Sequence, residues 1–179
     1  MSKIDVRTAS AFDKADQRMI EAAVRASDGG FEAVNQQIHD RLREWLAQAS
    51  RDLLARQREA LGDTHLDTLR SMSNLANLLS DQGKLSEAEP LHRDALRGRR
   101  ETLGDTHPQT LSSMSNLAGL LVMQGKLSEA EPLARDALRG RRETLGDTHP
   151  ETLTSMNNLA FLEEALSTRS GPTCCCTVM

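Results

Sequence analysis

Apolar positions along this chain fall into a pattern that returns every 42 residues. In its first full copy Leu69, Met72, Leu75, Ala76 and Leu79 recur at helical spacing and share one face. Gly83 follows the last of them, where a helix commonly ends in a left-handed conformation that glycine adopts without strain. Leu85 then precedes Ser86-Glu87-Ala88-Glu89, which reads as a capping box in which Ser86 and Glu89 satisfy each other's amides. Ala88, Leu91, Ala95 and Leu96 carry the stripe of a second helix, with Pro90 expected in its first turn. Gly98, near the end of that helix, costs about 1 kcal/mol against alanine and is expected to let the next hairpin approach closely. Each period therefore predicts one pair of antiparallel helices.

The copies are close. Leu61–Thr102 and Leu103–Thr144 differ at seven positions, and Leu145 restarts the pattern, keeps it to Leu162 and loses its apolar register at Glu163-Glu164. A fixed period of this length is the mark of a solenoid, in which one supersecondary unit stacks on copies of itself. The frame also extends backwards: Arg51-Asp52-Leu53-Leu54-Ala55-Arg56 stands one period before Arg93-Asp94-Ala95-Leu96-Arg97-Gly98. Residues 43–60 thus read as the second helix of a degenerate earlier repeat. Phe31, Val34, Ile38, Leu42, Trp45, Leu46 and Ala49 continue one stripe upstream, predicting a single helix over 31–60. Ser10–Ala26 reads as a separate amphipathic helix stopped by Asp28-Gly29-Gly30. The expected organisation is an N-terminal helical segment over 1–60, an array over 61–166 and a flexible cysteine-rich tail over 167–179. The fold class is all-α, a solenoid of antiparallel hairpins with an N-terminal helical extension.

Composition narrows the functions. The net charge is −4, with acidic and basic residues interleaved, whereas phosphate neutralisation needs a basic face. Aromatics are Phe12, Phe31, Trp45 and Phe161 alone, too few for a base-stacking platform, so nucleic acid is not the expected partner. The start, Met1-Ser-Lys-Ile-Asp, carries no apolar run of signal-peptide length, and no segment has the length and apolarity of a membrane span. All three cysteines are adjacent, at Cys174, Cys175 and Cys176, which allows no disulfide framework and suggests a reducing, cytoplasmic setting.

The run Asn-Leu-Ala-x-Leu-Leu, then Gln-Gly-Lys-Leu-Ser-Glu-Ala-Glu-Pro-Leu, Arg-Asp-Ala-Leu and Leu-Gly-Asp-Thr-His-Pro resembles the tetratricopeptide repeat, in the 42-residue form of kinesin light chains. Small residues agree at Ala76, Gly83, Ala88 and Ala95 and again at Ala118, Gly125, Ala130 and Ala137. The resemblance covers residues 61–162. It implies a non-catalytic adaptor that binds an extended peptide or a partner helix in a concave groove, with motor or cargo proteins among the partners. Kinesin light chains are similar in having more repeats and a long coiled coil. Here the 31–60 helix is too short for that coiled coil, so partner binding is expected ahead of motor attachment.

In such a stack the first helix of each hairpin lines the groove. Asn74, Asn116 and Asn158 recur at the period, and an amide both donates and accepts, so a row of them can pair with an extended backbone. Arg70, Ser73 and Asn77, then Ser112, Ser115 and Gly119, then Thr154, Asn157 and Phe161 flank them. The lysines that clamp a terminal carboxylate in chaperone-binding relatives are replaced by Ser115 and Gly119. His65, His107 and His149 also recur, but successive packed helices lie about 8–10 Å apart, so residues one repeat apart cannot share a metal ion, and they read as loop-ending residues before Pro108 and Pro150. Met72, Met114 and Met156 read as core. The clusters Arg97, Arg99, Arg100 and Arg139, Arg141, Arg142 read as a solvated surface that complements the helix dipole. No catalytic constellation, cofactor loop or metal set is apparent. Cys176-Thr177-Val178-Met179 fits a prenylation box that favours farnesyl, with Cys174 and Cys175 as candidate palmitoyl sites. The alternative function is accordingly a lipid-anchored peripheral membrane scaffold.

Overall fold

The computed structural model describes residues 31–169, together with residues 18, 19 and 22. From residue 31 onward the described residues form six helices and no strand. They are α1 (Phe31–Leu61), α2 (Leu66–Asp81), α3 (Leu85–Leu103), α4 (Pro108–Met123), α5 (Leu127–Leu145) and α6 (Pro150–Arg169). From α2 onward each helix packs on its successor, giving the hairpins α2–α3 and α4–α5 and the first helix, α6, of a third. The chain divides into two compact units within α1, residues 1–48 and 49–179. In the first unit Ala47 is buried, while Leu42, Trp45 and Leu46 are exposed, so the stripe expected along this part of α1 is not a covered face. The expected helix over Ser10–Ala26 falls almost wholly outside the described residues.

In the second unit the core runs unbroken from Leu54 to Leu162. Leu69, Met72, Leu75, Ala76 and Leu79 of α2 are all buried, as are Leu111, Met114, Leu117, Ala118 and Leu121 of α4. Small residues at Ala88, Ala95, Ala130 and Ala137 let the second helices lie close against them. Gly98 is the tightest point. A Cβ there would stand 2.5 Å from Leu69 Cδ2, and the equivalent atom on Gly140 would stand 2.5 Å from Leu111 Cδ2. The close approach is therefore to the first helix of the same hairpin, not to the next hairpin as the spacing suggests.

Helix starts also differ from the sequence expectation. α3 begins at Leu85 with Lys84 at its cap position and no side-chain capping bond, so Ser86 lies inside the first turn and the expected capping box does not form. Pro90 consequently sits in the second turn, inside the helix. Glu89 is drawn outward instead, to Arg93 at 2.8 Å and across to Lys126 at 2.7 Å. The recurring histidines do cap their helices. Nδ1 of His65, His107 and His149 accepts the N–H of Asp67, Gln109 and Glu151, each at 3.2 Å. Each loop between hairpins turns at a glycine, φ +86° at Gly104, which a side chain would strain. It is pinned by Arg100 to Asp105 at 2.9 Å, and Arg58–Asp63 and Arg142–Asp147 repeat that pair.

A second ladder of charge joins consecutive second helices. Arg51 reaches Glu87 at 3.1 Å and Arg93 reaches Glu129 at 2.8 Å, the same pair one period apart. Arg135 has no equivalent glutamate ahead of it and takes Glu163 at 3.0 Å. This contact is where the third copy departs from the pattern: Glu163 stands one period after Leu121, which is fully buried. The acidic residue that breaks the apolar register is held in an ion pair at the surface of α6.

This packing makes two mutational expectations concrete. Leu69 is 1% exposed and its Cδ2 stands where the new Cβ would go, so Gly98→Ala overpacks the hairpin by about 1–3 kcal/mol, which outweighs the roughly 1 kcal/mol of helix propensity it gains. At Gly119 nothing lies within 4 Å of the place a Cβ would occupy, so Gly119→Ala keeps the propensity gain alone. Urea unfolding should show the first midpoint lowered and the second raised. Lys126 first, and Arg93 second, hold the Glu89 carboxyl at about 2, below its usual 4.5. The ionised form is thus favoured in the folded protein, and the stabilisation is present above pH 4.5 and lost as pH falls towards 2. Urea midpoints of wild type and Glu89→Gln should differ at about pH 6, draw together below pH 4.5 and nearly meet at about pH 2.

Candidate peptide-binding face

The first helices α2, α4 and α6 present equivalent residues at successive periods. Asn74, Asn116 and Asn158 are all exposed, and each precedes a buried leucine (Leu75, Leu117, Leu159) that anchors its helix. Asn77, Ser112 and Asn157 are exposed beside them, and Arg70, also exposed, pairs with Asp67 at 2.9 Å. Ser115 is half-buried. Ser73 is not on this surface. It is 6% exposed, its hydroxyl donates to the Leu69 carbonyl at 3.1 Å, and it accepts a hydrogen bond from Arg99.

That arginine is the principal departure from the sequence expectation. Arg99 and Arg141 are expected on a solvated surface with their neighbours, yet they are only 7% and 8% exposed. Arg97 and Arg139 do lie outside, on Asp94 at 2.7 Å and Asp136 at 2.8 Å. Arg99 Nη1 donates to Ser73 Oγ at 2.9 Å and to Ser113 Oγ, and Nη2 donates to the Leu69 carbonyl at 3.3 Å. Arg141 Nη1 repeats the arrangement with Ser115 and Ser155, both at 2.7 Å. Each guanidinium therefore ties the first helix of its own hairpin to the first helix of the next. Helical periodicity puts one arginine of each Arg-x-Arg-Arg cluster inward, and a serine at the facing positions of both neighbouring helices is the signal that could have singled it out.

Above this second guanidinium the surface opens into a cleft of about 210 Å³ between α4 and α6. Gly119, Val122 and Ala134 wall it with Phe161 and Leu162, and Asn158 stands at its edge. Ser115 and Ser155 line it too, but their hydroxyls are taken: each accepts from Arg141 and donates to a helix carbonyl, Leu111 at 3.2 Å and Glu151 at 2.9 Å. What remains open is an apolar hollow, beside which Phe161 is 64% exposed. The seven differences between the two full repeats explain why the cleft is here. One period earlier Gly119, Val122 and Ala134 are Asn77, Ser80 and His92. His92 is 2% exposed, and burial first, with the nearby Arg99 charge second, pushes its pKa below the usual value, favouring a neutral ring. Three of the seven changes thus remove polar bulk from one place.

Known proteins share this architecture. Residues 68–109 and 110–151 each match the tetratricopeptide repeat family model. Residues 68–151 are thus two tetratricopeptide repeats in tandem. Among solved structures it is similar to the nearly identical TPR-like repeats of a Podosopora anserina protein described as a putative kinesin light chain. The identity is 25% and the TM-score 0.67, over 84% of this chain and 66% of that one, and a variant of the same protein matches equally. BtubC (BKLC) from P. vanneervenii shares the fold at 20% identity and a TM-score of 0.66, over 86% of this chain and 66% of that one. The chain thus spans slightly less than two thirds of these relatives. No curated protein sequence matches it. Tetratricopeptide arrays of the kinesin light chain type are protein-interaction scaffolds, and the repeats here have that form.

Among the described residues no helix is long and apolar enough to cross a membrane. The lipidation candidates Cys174, Cys175 and Cys176 lie outside the described residues.

Proposed function

We propose that this chain is a non-catalytic adaptor whose first-helix face binds an extended peptide or a partner helix, as its similarity to kinesin light chain repeats suggests. The observation that carries the reading is the pairing of two features on α4 and α6: exposed amides at Asn116 and Asn158, and an apolar hollow at Gly119 between them. The amides would pair with partner backbone, which fixes direction and register without selecting side chains. The hollow would take one apolar side chain, and it is the feature of this face able to discriminate between partners. Burying a leucine- or methionine-sized group there is worth about 1.5–3 kcal/mol, enough to decide which peptide is held. At the first junction His92 is buried and Asn77 stands where Gly119 opens the second, so one end of the face would read backbone and the other a side chain. Cargo or motor proteins are the partner classes that the similarity suggests.

The test restores the first repeat's residues in the second. Gly119→Asn with Ala134→His should fill the hollow, while Asn116→Ala with Asn158→Ala should remove the amides. On an array of extended peptides with a single apolar anchor, the filled variant should lose affinity by on the order of tenfold, about 1.4 kcal/mol, for anchored peptides only. The amide variant should weaken all peptides alike. Binding that both double variants leave unchanged would exclude this face.

A further inference from the structure

Polarity falls from α2 to α6 along the first-helix face. From Arg70 to the end of α2 the exposed residues are Arg70, Asn74, Asn77 and Asp81, and everything between them is buried or half-buried. The matching residues of α4 are Ser112, Asn116, Gly119 and Met123, none of them charged. Two charges beside these rows are already matched: Arg70 by Asp67 at 2.9 Å, and Glu151, at the start of α6, by Arg141 Nε at 3.5 Å. Glu163 and Glu164 lie off the face, where α4 has Leu121 buried and Val122 half-buried. Asp81 is the exception. Among the described residues no ion pair or hydrogen bond holds its carboxylate, and it is the last residue of α2, in a turn with no basic side chain. There it meets the negative end of the helix dipole, so its own helix disfavours the charge. Arg70 does not cancel it, being about 16 Å away along the helix, beyond a Debye length of about 8 Å. Met123, 60% exposed, and Ala165 take the same position in the next two copies, so the row runs from a carboxylate to an apolar end.

We propose that the partner of this face is an extended peptide that sets a lysine or arginine against Asp81 and an apolar side chain in the hollow at Gly119, an inference that rests on the peptide-binding reading above. Charge complementarity selects the cation, and distance sets its spacing. Neighbouring first helices are close enough for the Arg99 guanidinium to join Ser73 and Ser113, and packed helices lie about 8–10 Å apart. The hollow lies between α4 and α6, half a step further, so about 12–15 Å separates it from Asp81. Gly119 and Asp81 both stand on the C-terminal side of the asparagine row, so one edge of the peptide faces both. An extended chain advances about 3.3 Å per residue and turns alternate side chains to the same edge. Four residues, about 13 Å, therefore bring cation and anchor to their sites together, whereas three turn the cation to the opposite edge. Met123, between the two sites, offers apolar surface to the alkyl stem of the cation.

The probes are short fluorescent peptides with one leucine anchor in an alanine and serine background, titrated with the full chain. Lysine, glutamate or alanine is placed four or three residues from the anchor, on either side. Lysine at four residues, on the side that runs towards α2, should tighten binding about two- to fivefold over alanine at low salt. Lysine at three residues should not, and glutamate at four should weaken binding. High salt should remove most of the gain. Asp81→Asn should abolish the lysine gain and leave the alanine peptide unchanged, while Asp81→Lys should transfer the preference to glutamate. Both substitutions lie at an exposed helix end and leave the core untouched. No lysine gain at either four-residue spacing, or one that is equal at three or persists in Asp81→Asn, overturns the proposal. If anchored binding is lost in Gly119→Asn with Ala134→His yet lysine has no effect, this inference falls and the peptide-binding reading stands. If no peptide binds, both fall.

Discussion

Hairpin must bury against hairpin at close range, and every other feature of the array follows from that. A single helical pair has one apolar face too many for its size, so stability comes from stacking rather than from any one unit. The approach is set by small residues: Gly98 under Leu69, Gly140 under Leu111, and alanines along the second helices. Apolar burial alone does not choose a register, because it has no direction. Direction comes from Arg99 and Arg141, each of which fixes hydroxyls on two consecutive first helices. The exposed pairs between second helices repeat the same register, but at high dielectric each contributes little by itself.

Near-identity of the repeats makes their few differences informative. The scaffold positions are kept in both copies, whereas Asn77, Ser80 and His92 give way to Gly119, Val122 and Ala134 around a single hollow. Other changes alter charge at a helix start: Asp67, Gln109 and Glu151 occupy one position in three successive first helices. One backbone plan thus carries two chemically different junctions. The first is filled and polar with an uncompensated guanidinium beneath it, and the second is open and apolar with a carboxylate nearby.

Much of this is legible in the chain. The 42-residue period, the helix pairs, the glycine turns and the methionine and leucine core all follow from spacing, because each depends on the side of a helix that a residue occupies. The Ser86–Glu89 box fails because Lys84 and Leu85 start the helix earlier, and because Glu89 finds stronger partners in Lys126 and Arg93 than a backbone amide offers. The histidine caps escape sequence reading since histidine ranks low as a capping residue, and only the loop geometry aims Nδ1 at the amide two residues on. Ser73 and Arg99 both look like surface residues in the sequence. A polar residue in an exposed-looking pattern carries no mark of a partner 26 residues away.

The order of residues alone specifies a stack of hairpins, the apolar positions of the repeats that fill its core, and the recurrence of three equivalent asparagines. These depend on periodicity and backbone preference, both local properties. Only the tertiary structure decided that one arginine in each cluster is internal, that Gly98 receives its own hairpin's leucine, and that three scattered substitutions meet at one cleft. Those outcomes depend on how far apart packed helices lie and how they are turned, and such distances arise from the whole stack at once.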